Sequence, residues 1–199
     1  MDKNTQAFID HVQSECKKHK VKFKPYKRGY IKLIDGVKCG GFFDDSAKPP
    51  ILAFAQGRED FLGLMVHEYC HMTQWLDQIP LWAESETALS IMWNWLAGED
   101  HEDIDWAIGI ARDLELDNEK RTTEMIKKWN LPIDPVEYVK KSNAYVLFYN
   151  YIKTTRKWSE PDNSPYTNMN IVDAMSDKFD MDYENFSDEL LELYRREKI

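Results

Sequence analysis

The string His67-Glu68-Tyr69-Cys70-His71 constrains this chain more than any other short segment, because it stands inside a stretch that reads as one helix. Histidines four apart lie on one helical face, about one turn from each other, so their ring nitrogens can converge on a single ion. The surrounding helix, from about residue 58 to 78, carries Leu62, Leu64, Met65, Val66, Met72 and Trp75 and is apolar nearly all round. A helix of that kind is expected to be buried. Buried imidazoles need partners for their nitrogens, and one metal ion satisfies both rings. Zn²⁺ takes imidazole nitrogen at roughly 2.0–2.1 Å. Glu68 projects beside the histidine face, where its carboxylate can accept a proton from water.

Ahead of this helix the pattern is that of a small sheet. Residues 5–18 have helical spacing, and from Val21 the apolar residues alternate. Asp35-Gly36 is a hairpin signal between 30–34 and a return strand through Val37-Lys38-Cys39 to Phe42-Phe43. Pro49-Pro50 then introduces the short apolar strand 51–55. Everything after residue 58 reads as helix: 82–97 ending at Gly98, 102–129, and a helix capped by Asp134 with Pro135 at its first position. The last forty residues suggest short helices, 188–196 the clearest. The expected class is α+β: a small N-terminal antiparallel or mixed sheet followed by a mainly helical remainder that includes the histidine helix. Residues 1–158 are expected to form one domain, with 159–199 an acidic segment packed on it.

Two histidines and a water do not complete a catalytic zinc site, so a third protein ligand is required. The helix 102–129 has a stripe, stepped by three or four, running Ile104, Ile108, Ala111, Glu115, Asn118, Thr122, Met125, Trp129. A carboxylate in a buried stripe is costly unless something neutralises it, and Zn²⁺ at Glu115 would do so. Pairing with Arg112 is the alternative. Glu119, one turn further, is placed to hydrogen-bond a ligating histidine. Glu84 and Glu86 on the next helix are rivals, although acids in a first helical turn are routine there. His101, in an acidic helix start, is a third option. Cys70 is expected to be a small core residue.

The net charge of −9 is unevenly spread. Residues 1–38 carry ten Lys/Arg against four Asp/Glu, and 159–199 carry four against eleven. Two solvated surfaces are the simplest account, and an acidic segment covering a cleft is another. No apolar run approaches a membrane span, the first thirty residues are too polar for a signal peptide, and Cys16, Cys39 and Cys70 have no paired spacing. A cytoplasmic protein is expected.

His67, Glu68, His71 and Glu115, with Glu119, resemble the zincin metallopeptidases of the gluzincin branch, in which H-E-x-x-H is followed by a glutamate ligand on a later helix. The order helix, hairpin, strand, H-E-x-x-H is similar to the compact ImmA/IrrE-type and phage-borne peptidases. The resemblance spans about residues 20–120. It implies a minimal zincin fold with an edge strand above the active-site helix, zinc as cofactor, and the strand 51–55 pairing with an extended peptide substrate. It further implies peptide hydrolysis with Glu68 as general base. A tyrosine would steady the oxyanion: Tyr138, Tyr145, Tyr149 and Tyr151 are candidates and Tyr145 is the choice. A lesser resemblance, to SprT-type proteases, would make His101 the ligand and turn the basic stretch 17–30 towards DNA. Overall acidity and the lack of a second Cys-x-x-Cys module weigh against it. The expected partner is a protein or peptide substrate, with neither nucleic acid nor membrane. The alternative function is a zinc-binding regulatory or anti-defence protein without catalysis, acting through its charged surfaces. An inhibitor mimicking DNA would rest on the acidic tail alone.

Overall fold

The computed structural model describes residues 2–33, 36–160 and 163–199. It is an α+β protein with seven helices and five short strands among those residues. The chain divides into two compact units, the first made of residues 1–78 and 121–133, the second of 79–120 and 134–199.

The first unit opens with α1 (Lys3–Lys18), started by Asp2, whose carboxylate accepts from the backbone N–H of Asn4 and Thr5. Five strands follow: β1 (Lys22–Tyr26), β2 (Ile31–Lys32), β3 (Lys38–Cys39), β4 (Gly41–Asp44) and β5 (Ile51–Ala55), and then α2 (Phe61–Asp77). The main sheet has the order β1-β5-β4, with β5 parallel to β1 and antiparallel to β4. The strand expected to meet a substrate, Ile51–Ala55, is therefore the central one. Its backbone groups are spent on two neighbours, and the edges fall to β1 and β4. Its composition explains this: Leu52, Ala53, Phe54 and Ala55 are all buried, as befits a strand covered on both faces.

The expected hairpin is shorter than the alternation suggests. β2 pairs with β3 through Ile31 with Cys39 and Lys32 with Lys38, and the chain then bends at Gly40 into the other sheet. Asp35 of the turn signal lies outside the described residues, while Gly36 has φ 91°, a conformation suited to glycine. Strand alternation puts Phe23, Leu52, Phe54 and Phe43 on one face of the main sheet. There the Phe43 ring meets Trp75 of α2 at 5.5 Å. On the opposite face Ile31 of the hairpin packs on Ala53 and Ala55.

The second unit comprises α3 (Pro80–Leu96), α4 (Ile104–Lys128) as far as Lys120, α5 (Pro135–Thr155), α6 (Met169–Asp173) and α7 (Asp188–Arg196). Asp134 caps α5 by accepting from the N–H of Val136 and Glu137, with Pro135 at the first position, as the sequence predicts. Leu147, Phe148 and Ile152 of α5 form its core with Met92, Ile108, Ile171 and Tyr194. The acidic segment is held in this unit by buried Tyr194 and half-buried Tyr183. Tyr194 donates to the Ala144 carbonyl at 2.6 Å, and Tyr183 donates to Asn143 Oδ1 at 2.6 Å. No helix among the described residues is long and apolar enough to cross a membrane.

Burial pushes the Tyr194 hydroxyl far above its ordinary value. The unfolded chain releases that proton near pH 10 and the folded one retains it, so stability falls as pH rises beyond about 10. Tyr194→Phe is expected to cost about 0.5–1.5 kcal/mol at pH 7 through the lost hydrogen bond. It should also lessen the alkaline loss, and urea denaturation from pH 7 to 11 would measure both effects.

Candidate metal centre

On α2 the two histidines stand as their spacing dictates. The Nε2 atoms of His67 and His71 are 3.2 Å apart, and the rings meet edge to face. Two nitrogen ligands of a tetrahedral zinc at about 2.0–2.1 Å are about 3.3 Å from each other, so this separation fits a shared ion. The helix is less enclosed than its composition suggests. Both histidines are half-buried, whereas Glu68, Tyr69 and Cys70 between them are buried. The histidine face thus stays open to a ligand while the rest of the turn packs into the unit. Cys70 is fully buried and serves as the small core residue expected.

His71 has a second fixed nitrogen. Its Nδ1 lies 2.8 Å from Oε1 of Gln74, which is fully buried. An amide oxygen accepts only, so Nδ1 carries the proton and Nε2 presents its lone pair to the shared position. This is the hydrogen bond that orients metal-bound imidazoles. From sequence the role falls to Glu119; for His71 it is Gln74 that fills it. The signal was available, since a residue three positions on lies one turn above the histidine.

Glu68 is 6% exposed and lies directly against β4. A Cβ built on Gly41 would stand 2.7 Å from both Cγ and Oε1 of Glu68 and 2.9 Å from the Ala53 carbonyl oxygen. Only a residue without a side chain lets the strand pass so close to the helix. Gly40, just before it, meets Leu64 in the same way at 3.1 Å. Neither glycine was singled out from sequence, because nothing local announces which side chain a glycine faces. On the far side of α2, Tyr69 Oη is 3.1 Å from His11 Nε2. Burial raises the Tyr69 hydroxyl pKa, keeping it a donor.

The other expected site residues lie in the second unit. Glu115 is half-buried on α4, on the stripe the sequence predicts. Arg112, its alternative partner, pairs with Asp113 at 2.8 Å and with Asn150. Glu119 is fully buried and accepts from Ser142 Oγ at 2.8 Å and from the Tyr166 hydroxyl. Tyr145 shares a hydrogen bond with Tyr149, 3.2 Å between oxygens, and stacks on Tyr166 at 4.6 Å. Burial, then neighbouring Tyr149 and the charge of Glu115, hold the Tyr145 hydroxyl well above the usual tyrosine range. Tyr145 is thus a permanent proton carrier beside two glutamates. Tyr166 belongs to this group and was missed, because it follows an irregular loop that has no period to read. The rivals stand elsewhere. Glu84 and Glu86 are exposed on α3, and exposed His101 accepts the Asp103 N–H at 3.2 Å, the ordinary work of a residue at a helix start.

No family model, no curated protein and no solved structure matches the chain.

The clearance at Gly41 generates a direct test. Gly41→Ala is expected to force Glu68 or the strand aside and to cost about 1–3 kcal/mol of stability. Gly29→Ala, where an added Cβ would meet only the Gly57 carbonyl oxygen at 4.0 Å, serves as the comparison in urea denaturation. Equal and negligible losses would show that the Gly41 contact is loose.

Proposed function

We propose that this chain is a zinc-dependent metallopeptidase, with His67, His71 and Glu115 as zinc ligands and Glu68 as general base. The observation that carries the proposal is the disposition of α2: two Nε2 atoms 3.2 Å apart, one tautomer set by Gln74, and a buried carboxylate one residue from the first histidine. His67, His71 and Glu115 are also the group of His, Cys, Asp and Glu, among the described residues, that could hold a metal ion. Two imidazoles and one carboxylate make the donor set of a catalytic zinc, which keeps a further position for water or substrate. The likeness of the sequence motif to gluzincins points the same way. The reading extends to a cytoplasmic enzyme acting on a protein or peptide.

When bound, zinc supplies Lewis acidity, lowering the pKa of water towards about 7 and polarising a carbonyl. The chain's own groups do the rest. Glu68 takes the proton of the attacking water, the oxygen adds to the scissile carbonyl carbon, and the C–N bond breaks as Glu68 returns the proton to the leaving amine. Tyr145, which keeps its proton, is the proposed donor to the developing oxyanion. β4 offers the substrate a strand to pair with. The Ala55 N–H donates to the Gly40 carbonyl at 2.8 Å, so Gly40, Phe42 and Asp44 bond towards β5. By the alternation of an antiparallel ladder, Gly41 and Phe43 turn their backbone groups to the outer edge. Gly41 is the residue against Glu68. A peptide added there would lay its backbone beside the general base.

Three variants test the reading. Glu68→Gln is expected to keep stoichiometric zinc and lose peptidase turnover by at least about 10³-fold, whereas His71→Ala should lose both. Gln74→Leu should weaken zinc about 10–100-fold, as loss of an orienting hydrogen bond does. Zinc content by mass spectrometry of metals, chelator competition and cleavage of a casein-type substrate read these outcomes. Equal turnover by wild type and Glu68→Gln would sink the enzyme and leave a protein that only binds metal.

A further inference from the structure

The edge of β4 does not lie in neutral surroundings. The chain reaches Gly41 directly from the β2–β3 hairpin, and the exposed residues of that hairpin include Lys32 and Lys38. These two are register partners, facing each other across the antiparallel pair. Like charges directly opposite on a ladder are destabilising. The Lys38 ammonium sits 4.7 Å over the ring of exposed Tyr30, and Lys24 of β1 sits 4.8 Å over Tyr26. Lys27 and Arg28, between β1 and β2, are exposed as well. Among the described residues, none of Lys24, Lys27, Arg28, Lys32 and Lys38 forms an ion pair, in a chain of net charge −9. Lys32 and Lys38 thus stand on the hairpin that leads directly into the strand running past Glu68, and Lys27 and Arg28 follow β1 at the end of the sheet where that strand begins.

We infer that this surface selects the substrate: the chain takes an extended peptide with a cluster of acidic side chains on the side that meets the hairpin. The inference rests on the peptidase reading for the position of the scissile bond. From Gly41 back to Lys38 is three residues, at most about 10 Å at about 3.3 Å per residue because the chain bends at Gly40, and a lysine reaches several ångströms further. The acidic cluster therefore belongs about three to five residues from the bond held beside Glu68. At the other end of β4 stand Asp44 and Asp45, so the same acidic cluster is disfavoured there. The lysines act by steering and by exposed pairing, so their effect weakens as salt screens it beyond about 8 Å.

The test uses the full chain, zinc-loaded and carrying Glu68→Gln, with fluorescent peptides bearing three Glu or three Gln on one side of a common centre. Anisotropy is expected to give at least about fivefold tighter binding for Glu on one side only, with the gain shrinking between 50 and 500 mM salt. The double variant Lys32→Glu/Lys38→Glu should abolish that gain and prefer a three-Lys peptide. Both lysines are exposed and oppose each other, so their loss does not endanger the hairpin, and circular dichroism checks the fold. Equal binding of Glu and Gln peptides, or a preference the double variant keeps, overturns the inference. So does an oligonucleotide of equal charge that outcompetes the acidic peptide, which would make the surface one for nucleic acid. Turnover of the same peptides by the wild-type protein tests the peptidase separately. Charge preference without turnover defeats that reading and spares this one, and turnover without charge preference does the reverse.

Discussion

The contact of Gly41 with Glu68 is the constraint on which the first unit is built. A carboxylate on a helix turn that packs into a core is costly to bury, and here a strand is pressed against it. That closeness needs a residue without a side chain, and a second glycine beside it accommodates Leu64. The double glycine thereby sets how far β4 stands from α2, and through β4 the position of the sheet. Gly41 also turns its backbone outward, so the packing device and the strand edge are one place.

The same turn of α2 separates burial from access. Glu68, Tyr69 and Cys70 go inward, while the histidines on either side stay half open. Gln74 lies one turn beyond His71 and is fully buried, so its amide holds a fixed position. A buried amide oxygen that accepts from Nδ1 orients the imidazole without adding charge to its neighbourhood. In the second unit the polar groups are organised differently. Glu119 is satisfied by two hydroxyls, from Ser142 and Tyr166, and the tyrosines stack and hydrogen-bond among themselves. Hydroxyls suit that setting, because they can remain neutral in a poorly solvated cluster and still donate.

Much of the helical architecture was legible from residue order. The Asp134-Pro135 start and the 188–196 helix follow from capping chemistry and short-range periodicity, which depend on neighbours in sequence. The strands were legible as strands and not as partners. Alternation names the residues on each face, but strand order depends on which edges meet in space, so the unbroken apolar run 51–55 fits burial on both faces without naming its neighbours. The hairpin is shorter than the sequence suggests for a related reason: the run from Val37-Lys38-Cys39 to Phe42-Phe43 reads as one return strand, and only the bend at Gly40 divides it between two sheets. Glu115 and Tyr145 could be nominated because each lies on a long helix with a clear stripe. Tyr166 and Gly41 could not, since one follows a loop and the other acts through a side chain it lacks.

Sequence by itself determined that two imidazoles share a helical face with a glutamate between them, because the helix repeat places residues four apart together wherever that helix lies. It also determined the α+β class and the uneven charge. Only tertiary structure decided that β4 is an edge strand and β5 is not, that Gln74 holds His71, and that Lys32 and Lys38 face each other on the hairpin leading into Gly41. Those outcomes arise from contacts between segments distant along the chain, or from which way a side chain turns once its helix is packed. Local spacing carries no record of either.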